Sequence, residues 1–447
     1  MSFDLLRVDT IVALATAEAP AALAVVRVSG PRADNVRHAV FVPRRPPQRH
    51  FVATRGDLLD ERGRPLDDCV CIAWPDRHSY TGEASFELSL HGSPVLARAA
   101  VRAVVARGCR LAEPGELTLR AVLTGRLDLT AAEAVDDVIR ARSEAAARAA
   151  GRALRGGLAL AVHEPRAAIV DALADIEARL DFPDEELGDL ALAAHLPRLD
   201  AAHDALLRLL RTSAWGARLR DGARVVLYGP PNAGKSTLLN ALAGEERALV
   251  HHEPGTTRDA LEIELELGGA RVTLVDVAGV RPLDEAGAVE RLGIARADQE
   301  RARADVVVAL VPADAPDALA ALHALGGDVL VLSKADLGPP SAIAPDVHLV
   351  SAREHVGLDA LRLAIERRLA PPDAADEAVL MRERQVASVS GAAEALASAR
   401  AAIDDHAAGE LVASELRRAG RALDGLLGKD VSSDVLEAVF ARFCIGK

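Results

Sequence analysis

Eight consecutive residues limit the fold of this chain more than any other stretch. Gly229-Pro230-Pro231-Asn232-Ala233-Gly234-Lys235-Ser236 reads G-x-x-x-x-G-K-S. It follows a short apolar run, Arg224–Tyr228, and opens a helical stretch, Ser236–Ala243. A strand, a glycine-rich turn and a helix in that order make a phosphate cradle. Glycines let backbone N–H groups curl around phosphate oxygens, and the helix N-terminus adds favourable dipole charge. Asn232, Ala233, Gly234, Lys235, Ser236 and Thr237 are the residues expected to line it, with Lys235 reaching the β- and γ-phosphates and the Ser236 hydroxyl placed for Mg²⁺.

Four further signals follow in order. Gly255-Thr256-Thr257-Arg258-Asp259 reads as a loop whose threonine, Thr257, can complete a Mg²⁺ shell when a γ-phosphate is present. Asp276-Val277-Ala278-Gly279 is a D-x-x-G sequence after the apolar run Arg271–Val275, with Asp276 on the magnesium side and the Gly279 N–H toward the γ-phosphate. Ser333-Lys334-Ala335-Asp336 follows Val329–Leu332 and stands where N/T-K-x-D selects the base. A carboxylate at Asp336 meets guanine N1–H and N2–H, which adenine lacks, while the Lys334 stem packs along the ring. Ser351 and Ala352, after Val347–Val350, supply the last loop at the base. Ser333 replaces the usual Asn or Thr, and Val280 stands where many GTPases carry a water-orienting Gln.

The valine-rich runs between 224 and 350 alternate with helical stretches, which predicts a doubly wound, mostly parallel sheet. Residues 1–126 mix short strands (Asp9–Leu14, Ala24–Ser29, Asp68–Trp74) with a helix, Pro94–Ala106, an α+β module. From 127 to 220 the period becomes helical. Thr130 and Glu133 form a T-x-x-E capping signal before a long Ala-rich helix, and Ile169, Leu173, Ile176 and Leu180 line one face of the next. After Pro371-Pro372-Asp373 the chain is helical again. Three domains are therefore expected: 1–126; a helical domain from 127–220 and 373–447; and an inserted α/β P-loop domain, 221–372.

Net charge is −13 and aromatic residues are 2%, so an RNA contact needs a local basic patch or a partner protein. No apolar stretch is long enough for a membrane span, and four scattered cysteines without a C-x-x-C pair suit a reducing cytoplasm. Cys69 and Cys71 fall on one face of a strand and are expected in the core. Basic residues are almost all Arg: only Lys235, Lys334, Lys429 and Lys447 are lysines.

The chain resembles the MnmE (TrmE) family over essentially its whole length. The resemblance rests on Asp9-Thr10-Ile11-Val12-Ala13, Val26-Arg27-Val28-Ser29-Gly30-Pro31, Tyr80-Thr81-Gly82-Glu83, His91-Gly92, and Pro114-Gly115-Glu116 through Arg126-Leu127-Asp128-Leu129. It rests also on Asp181-Phe182-Pro183-Asp184-Glu185-Glu186 and on the ending Phe443-Cys444-Ile445-Gly446-Lys447.

Much is implied by that resemblance. The N-terminal module is expected to dimerise and to hold 5-formyltetrahydrofolate, with 5,10-methylenetetrahydrofolate as the working form, through Arg27, Glu87, Arg126 and Lys447. GTP hydrolysis is expected to use K⁺ held by Asn232 and Thr256, with Glu290 orienting water in place of the missing Gln. His251-His252-Glu253-Pro254 and Ala17–Ala22 depart from the family pattern. A homodimer is expected to join a flavin-binding MnmG-type partner in a heterotetramer. Together they attach a carboxymethylaminomethyl-type group at C5 of the wobble uridine (U34) of certain transfer RNAs, in the cytoplasm. Cys444 at the end of a helix is either a thiol nucleophile or a packing residue. The GTPase motifs alone also fit a ribosome-assembly GTPase switch, and the resemblance together with Ser333 and Val280 also fits a folate-binding dimer with weak hydrolysis.

Overall fold

The computed structural model describes residues 9–45, 49–75, 77–181, 192–244, 261–277, 297–338, 344–370, 377–441, 443 and 446. The chain divides into two compact units, Met1–Asp136 with Ala153–Leu199 and Glu394–Lys447, and Asp137–Arg152 with Asp200–Ala393.

The first unit contains a seven-stranded sheet in the order β3-β4-β5-β6-β2-β1-β7. Its strands are β1 (Ile11–Leu14), β2 (Leu23–Ser29), β3 (Phe41–Pro43), β4 (Thr54–Leu59), β5 (Pro65–Trp74), β6 (Ser85–His91) and β7 (Arg110–Leu111). Every pairing is antiparallel except β1 with β7. Period-two alternation sorts the two faces. Val26, Val28, Phe86, Leu88, Cys69 and Cys71 point into one core, closed by Val36 and Val40 of the helix Ala33–Val40 and by Ala97, Ala100 and Val104 of the helix Pro94–Val105. Cys69 and Cys71 are thus core residues, and burial pushes the Cys69 thiol up to about 12.

Helices complete this unit. Glu116–Leu123 starts at Gly115, whose φ of +73° suits glycine. A Cβ there would lie 2.8 Å from the Phe440 carbonyl oxygen, so this glycine lets the helix Ser433–Phe440 close in. Leu119, Leu129, Ala132, Leu436, Phe440 and Phe443 bury one another at that contact. Helix His163–Asp181 packs on Gly409–Leu427, joined by an Arg166–Asp424 ion pair of 2.7 Å.

Two sequence expectations change here. The helix Leu129–Arg140 is capped by Asp128, whose carboxylate accepts from the Ala131 N–H (2.9 Å) and the Thr130 hydroxyl (2.6 Å). A side chain one residue before the first turn reaches the free N–H groups; Thr130, already inside the helix and buried, does not. The Ala-rich stretch then forms two helices, Leu129–Arg140 and Glu144–Leu154, not one. In His163–Asp181, Ile169 and Ile176 are buried as expected, but Leu180 is 36% exposed.

The second unit is built on a six-stranded sheet, order β13-β12-β11-β8-β10-β9. The strands are β8 (Ala223–Tyr228), β9 (Leu261–Leu267), β10 (Ala270–Asp276), β11 (Val306–Pro312), β12 (Val329–Ser333) and β13 (Val347–Val350). All neighbours run parallel except β9, which is antiparallel to β10. The chain leaves β8 for β9 and β10 on one side, then crosses to β11 on the other. That reversal opens a crevice at the C-terminal end of β8, where ligands of such sheets bind. Strand β9 is not among the strands expected from the sequence, although Glu262, Glu264 and Glu266 alternate with apolar residues. Among the described residues no helix is long and apolar enough to cross a membrane.

Candidate phosphate, base and folate sites

The cradle lies at the reversal. β8 ends at Tyr228, and Gly229 passes so close to β11 that a Cβ would sit 2.1 Å from the Leu310 carbonyl oxygen. Asn232 and Gly234 then turn with φ of +60° and +87° before the helix Lys235–Gly244 begins. Lys235 is 6% exposed, and its Nζ donates to the carbonyl oxygens of Gly229 and Pro230, each at 3.0 Å. Burial holds this ammonium below the ordinary lysine value, with Asp276 acting in the opposite sense. Ser236 and Thr237 are exposed on the first turn, and Asn232 is exposed on the loop. Asp276, the last residue of β10, accepts a hydrogen bond from the Ser236 hydroxyl. A hydroxyl and a carboxylate converging on one point, beside a ready phosphate cradle, fit the oxygen preference of Mg²⁺.

The base side is assembled from three strand ends. The Ser333 hydroxyl, at the end of β12, donates to the Ala233 carbonyl oxygen at 2.5 Å and lies 3.3 Å from that of Val311. Lys334 follows in the left-handed region (φ +55°), which turns the chain into the short helical turn Ala335–Leu337. Asp336 is exposed there, and the Ser351 hydroxyl donates to its Oδ1 at 2.6 Å. That bond, the residue's own N–H and the charges of Arg353 and Lys334 hold its carboxyl below the usual carboxylate range. Each carboxylate oxygen accepts more than one hydrogen bond, so with Ser351 on Oδ1 the group keeps acceptor sites for both ring N–H groups. Ala352 is half-buried against the core beside Ser351. The Ser351–Asp336 bond was not read from the sequence; a hydroxyl at the end of the last strand is its only sequence mark.

In the other unit, Arg27 and Glu87 are direct cross-strand partners on β2 and β6. Their neighbours Val26, Val28, Phe86 and Leu88 are buried on one face, so both charges fall on the opposite one. The Arg27 Nε donates to Glu87 Oε1 at 2.7 Å, and its guanidinium stands 5.2 Å from the Tyr80 ring centroid. Arg126 is exposed, with its Cγ against Gly82, two residues after the Tyr80 that Arg27 stands over. Gly446 (φ +94°) passes the end of β1 so tightly that a Cβ would lie 2.3 Å from the Leu14 carbonyl oxygen. Leu14 pairs with Val26, so Gly446 sits at the end of the strand that neighbours the one carrying Arg27. Pairing a guanidinium and a carboxylate suits a ligand with both carboxylates and a ring rich in N–H donors.

Thr256, Thr257, Gly279, Glu290, Cys444 and Lys447 lie outside the described residues, as do 182–186 and 251–254. Among the described residues no three His, Cys, Asp or Glu side chains cluster as a metal site.

A family model described as the GTP-binding protein TrmE N-terminus matches residues 10–126, and one described as the MnmE helical domain matches residues 129–444. The tRNA modification GTPase MnmE of Aromatoleum aromaticum is 40% identical over 450 residues, covering 98% of each chain. That of Azoarcus sp. is 41% identical over 454 residues, again covering 98% of each. Among solved structures, the FeoB G-domain from Methanococcus jannaschii is 30% identical over 33% of this chain and 97% of its own, with a TM-score of 0.26. With a family model over more than half its length and relatives at about two residues in five, the chain belongs to the MnmE (TrmE) family of tRNA modification GTPases.

Proposed function

We propose that this chain hydrolyses GTP and couples the hydrolysis to modification at C5 of the wobble uridine of transfer RNA, with a folate one-carbon unit and a flavin-binding partner. The observation that carries the reading is the convergence of a complete phosphate cradle with a carboxylate, Asp336, aimed by Ser351. Guanine offers two N–H groups to that carboxylate and adenine does not.

The roles divide by position. Backbone N–H groups from Asn232 to Thr237 and the Lys235 ammonium take the phosphates. Ser236 and Asp276, with Thr257 in the GTP-bound state, would hold Mg²⁺, which would neutralise developing phosphate charge. Asn232 and Thr256 would hold K⁺ beside the phosphates, Glu290 would orient water, and the Gly279 N–H would meet the γ-phosphate. Lys334 packs on the base, with Ser351 and Ala352 closing the pocket. Arg27, Glu87, Arg126 and Lys447 would hold the folate, with Cys444 beside it as a thiol nucleophile or a packing residue. The functional domains follow the boundaries 1–126, 127–220 with 373–447, and 221–372. The chain works as a cytoplasmic homodimer that joins the flavin protein in a heterotetramer.

The test is genetic and kinetic. In a strain lacking this chain, wobble uridines should be unmodified and restored by the wild-type copy. Purified chain should turn GTP over faster in K⁺ than in Na⁺; equal rates would remove the potassium role, and unaltered uridines in the deletion strain would remove the RNA role.

A further inference from the structure

One region of the first unit runs against the overall charge. A cavity of about 510 Å³ is lined by Arg44, Arg45, Arg49, Val52, Ala53, Thr54 and Arg55, in a chain of net charge −13. It lies at the edge of the sheet, where β3 is the outermost strand. Arg44 pairs with Asp68 at 3.1 Å and Asp57 at 3.5 Å, and Arg55 pairs with Asp68. Among the described residues Arg45 and Arg49 have no ion-pair partner. Four guanidinium groups therefore face two carboxylates, and two of the four are free.

Phe51 stands within the same segment. It is 56% exposed, one of only 11 aromatic residues in the chain, and its φ is +62°. A left-handed bulky residue is strained, and such strain persists where the surroundings enforce it. Here the Phe51 N–H donates to the Ala73 carbonyl oxygen at 2.9 Å, and the Thr54 hydroxyl donates to that of Val52 at 3.2 Å. The ring packs perpendicular to that of His78, centroids 5.7 Å apart. The loop is thus tied to β5 while a ring and a guanidinium cluster face outward.

We propose that Arg44, Arg45, Arg49 and Arg55 together with Phe51 form a direct contact for transfer RNA, guanidinium groups on backbone phosphates and the Phe51 ring under an unstacked base. Arginine forks match phosphate geometry, and an aromatic face accepts any base of a single-stranded loop. This deepens the RNA reading above and rests on it: the chain itself, and not only its flavin partner, touches the substrate.

The experiment measures binding of an unmodified tRNA transcript to the full-length chain across a KCl series. Arg45→Glu with Arg49→Glu should weaken binding by about tenfold or more and lower the salt slope by roughly one to two. Phe51→Ala should weaken it by about fivefold or more with the slope unchanged. A charge-matched control on the helices, Arg400→Glu with Arg421→Glu, should bind like wild type. GTP turnover and dimer mass should be unaltered in all three. The proposal is overturned if the wild-type chain binds no tRNA, if the patch variants bind with wild-type affinity and slope, or if the control loses as much. A change of dimer mass in the Arg45/Arg49 variant would also overturn it and make the cluster an interface between copies. Wobble-uridine analysis in the deletion strain does not involve the cluster, so the cluster can fail while the RNA function stands.

Discussion

The Ser333 hydroxyl and the Ala233 carbonyl oxygen are 2.5 Å apart, a single bond that ties the base-reading turn to the phosphate loop. Both residues are buried, and the residues are 100 positions apart in sequence. The bond makes the shape of one subsite depend on the other.

Ser333→Ala removes that donor and leaves a buried carbonyl without it. Such a loss costs about 1–2 kcal/mol, so GDP affinity should fall roughly 5- to 30-fold. Ser333→Thr, which keeps the hydroxyl, should stay near wild type. Titration with a fluorescent GDP checks both; wild-type affinity in the alanine variant would mean that the two subsites are independent.

Asp336→Asn exchanges an acceptor for a donor at the atom facing the base. Affinity for GDP should fall at least about 100-fold, since the charge is lost and one of the two bonds becomes a donor–donor clash. Xanthosine diphosphate, with an oxygen where guanine has its amino group, should become the better ligand. In the wild type the carboxyl lies below its usual range, held there first by the Ser351 hydroxyl. A lowered acid stays charged down to its lowered pKa and loses its contribution only below that point. Guanosine binding should therefore outlast the protonation of ordinary carboxylates as pH falls, and Ser351→Ala should move the loss to higher pH.

Lys235 predicts the opposite limb of the pH profile. Burial lowers its pKa from 10.5, so the ligand-free fold bears a cost below the lowered value that is relieved as pH rises through it. A bound polyphosphate puts negative charge beside Nζ and raises the pKa, so binding takes up a proton in that window. GDP affinity should weaken as pH climbs through the lowered value. Lys235→Arg keeps its charge there and should show a shallower fall. The guanine ring titrates equally in both cases, so the difference between the two slopes reports Nζ.

Arg27 and Glu87 should act on folate and not on nucleotide. Glu87→Gln keeps the shape but removes the charge, and should weaken 5-formyltetrahydrofolate by about tenfold or more, while GTP turnover stays at the wild-type rate. Gly446→Ala adds a Cβ 2.3 Å from the Leu14 carbonyl oxygen at φ +94°. It should displace the C-terminal tail and weaken folate similarly. Calorimetry with the folate and a phosphate-release assay separate the two readouts; loss of GTP turnover in Glu87→Gln would contradict the division.

How legible these sites were in the sequence depended on how local they are. The phosphate loop is eight contiguous residues whose chemistry follows from their order, so Gly229 to Ser236 could be read without a fold. Arg27 and Glu87 are 60 residues apart, and they meet only because β2 and β6 pair in one register. Without that register their pairing could come only from resemblance. The alternation in Ser85–His91 and Leu261–Leu267 is short and interleaved with charged or polar residues, so β6 and β9 emerge only in the structure. The helix cap failed for a narrower reason: Thr130 and Glu133 matched a four-residue pattern, yet Asp128 reached the N–H groups first. Ser333 shows the reverse limit. Its departure from Asn or Thr was plain in the sequence, while the bond it makes to Ala233 required the parallel sheet.

The most direct measurement is calorimetric titration of the full-length chain with GDP and with ADP in Mg²⁺. Saturable heat with GDP and none with ADP is the expected result. Equal heats with both nucleotides, or none with either, would contradict a guanine-selective phosphate cradle between Gly229 and Asp336.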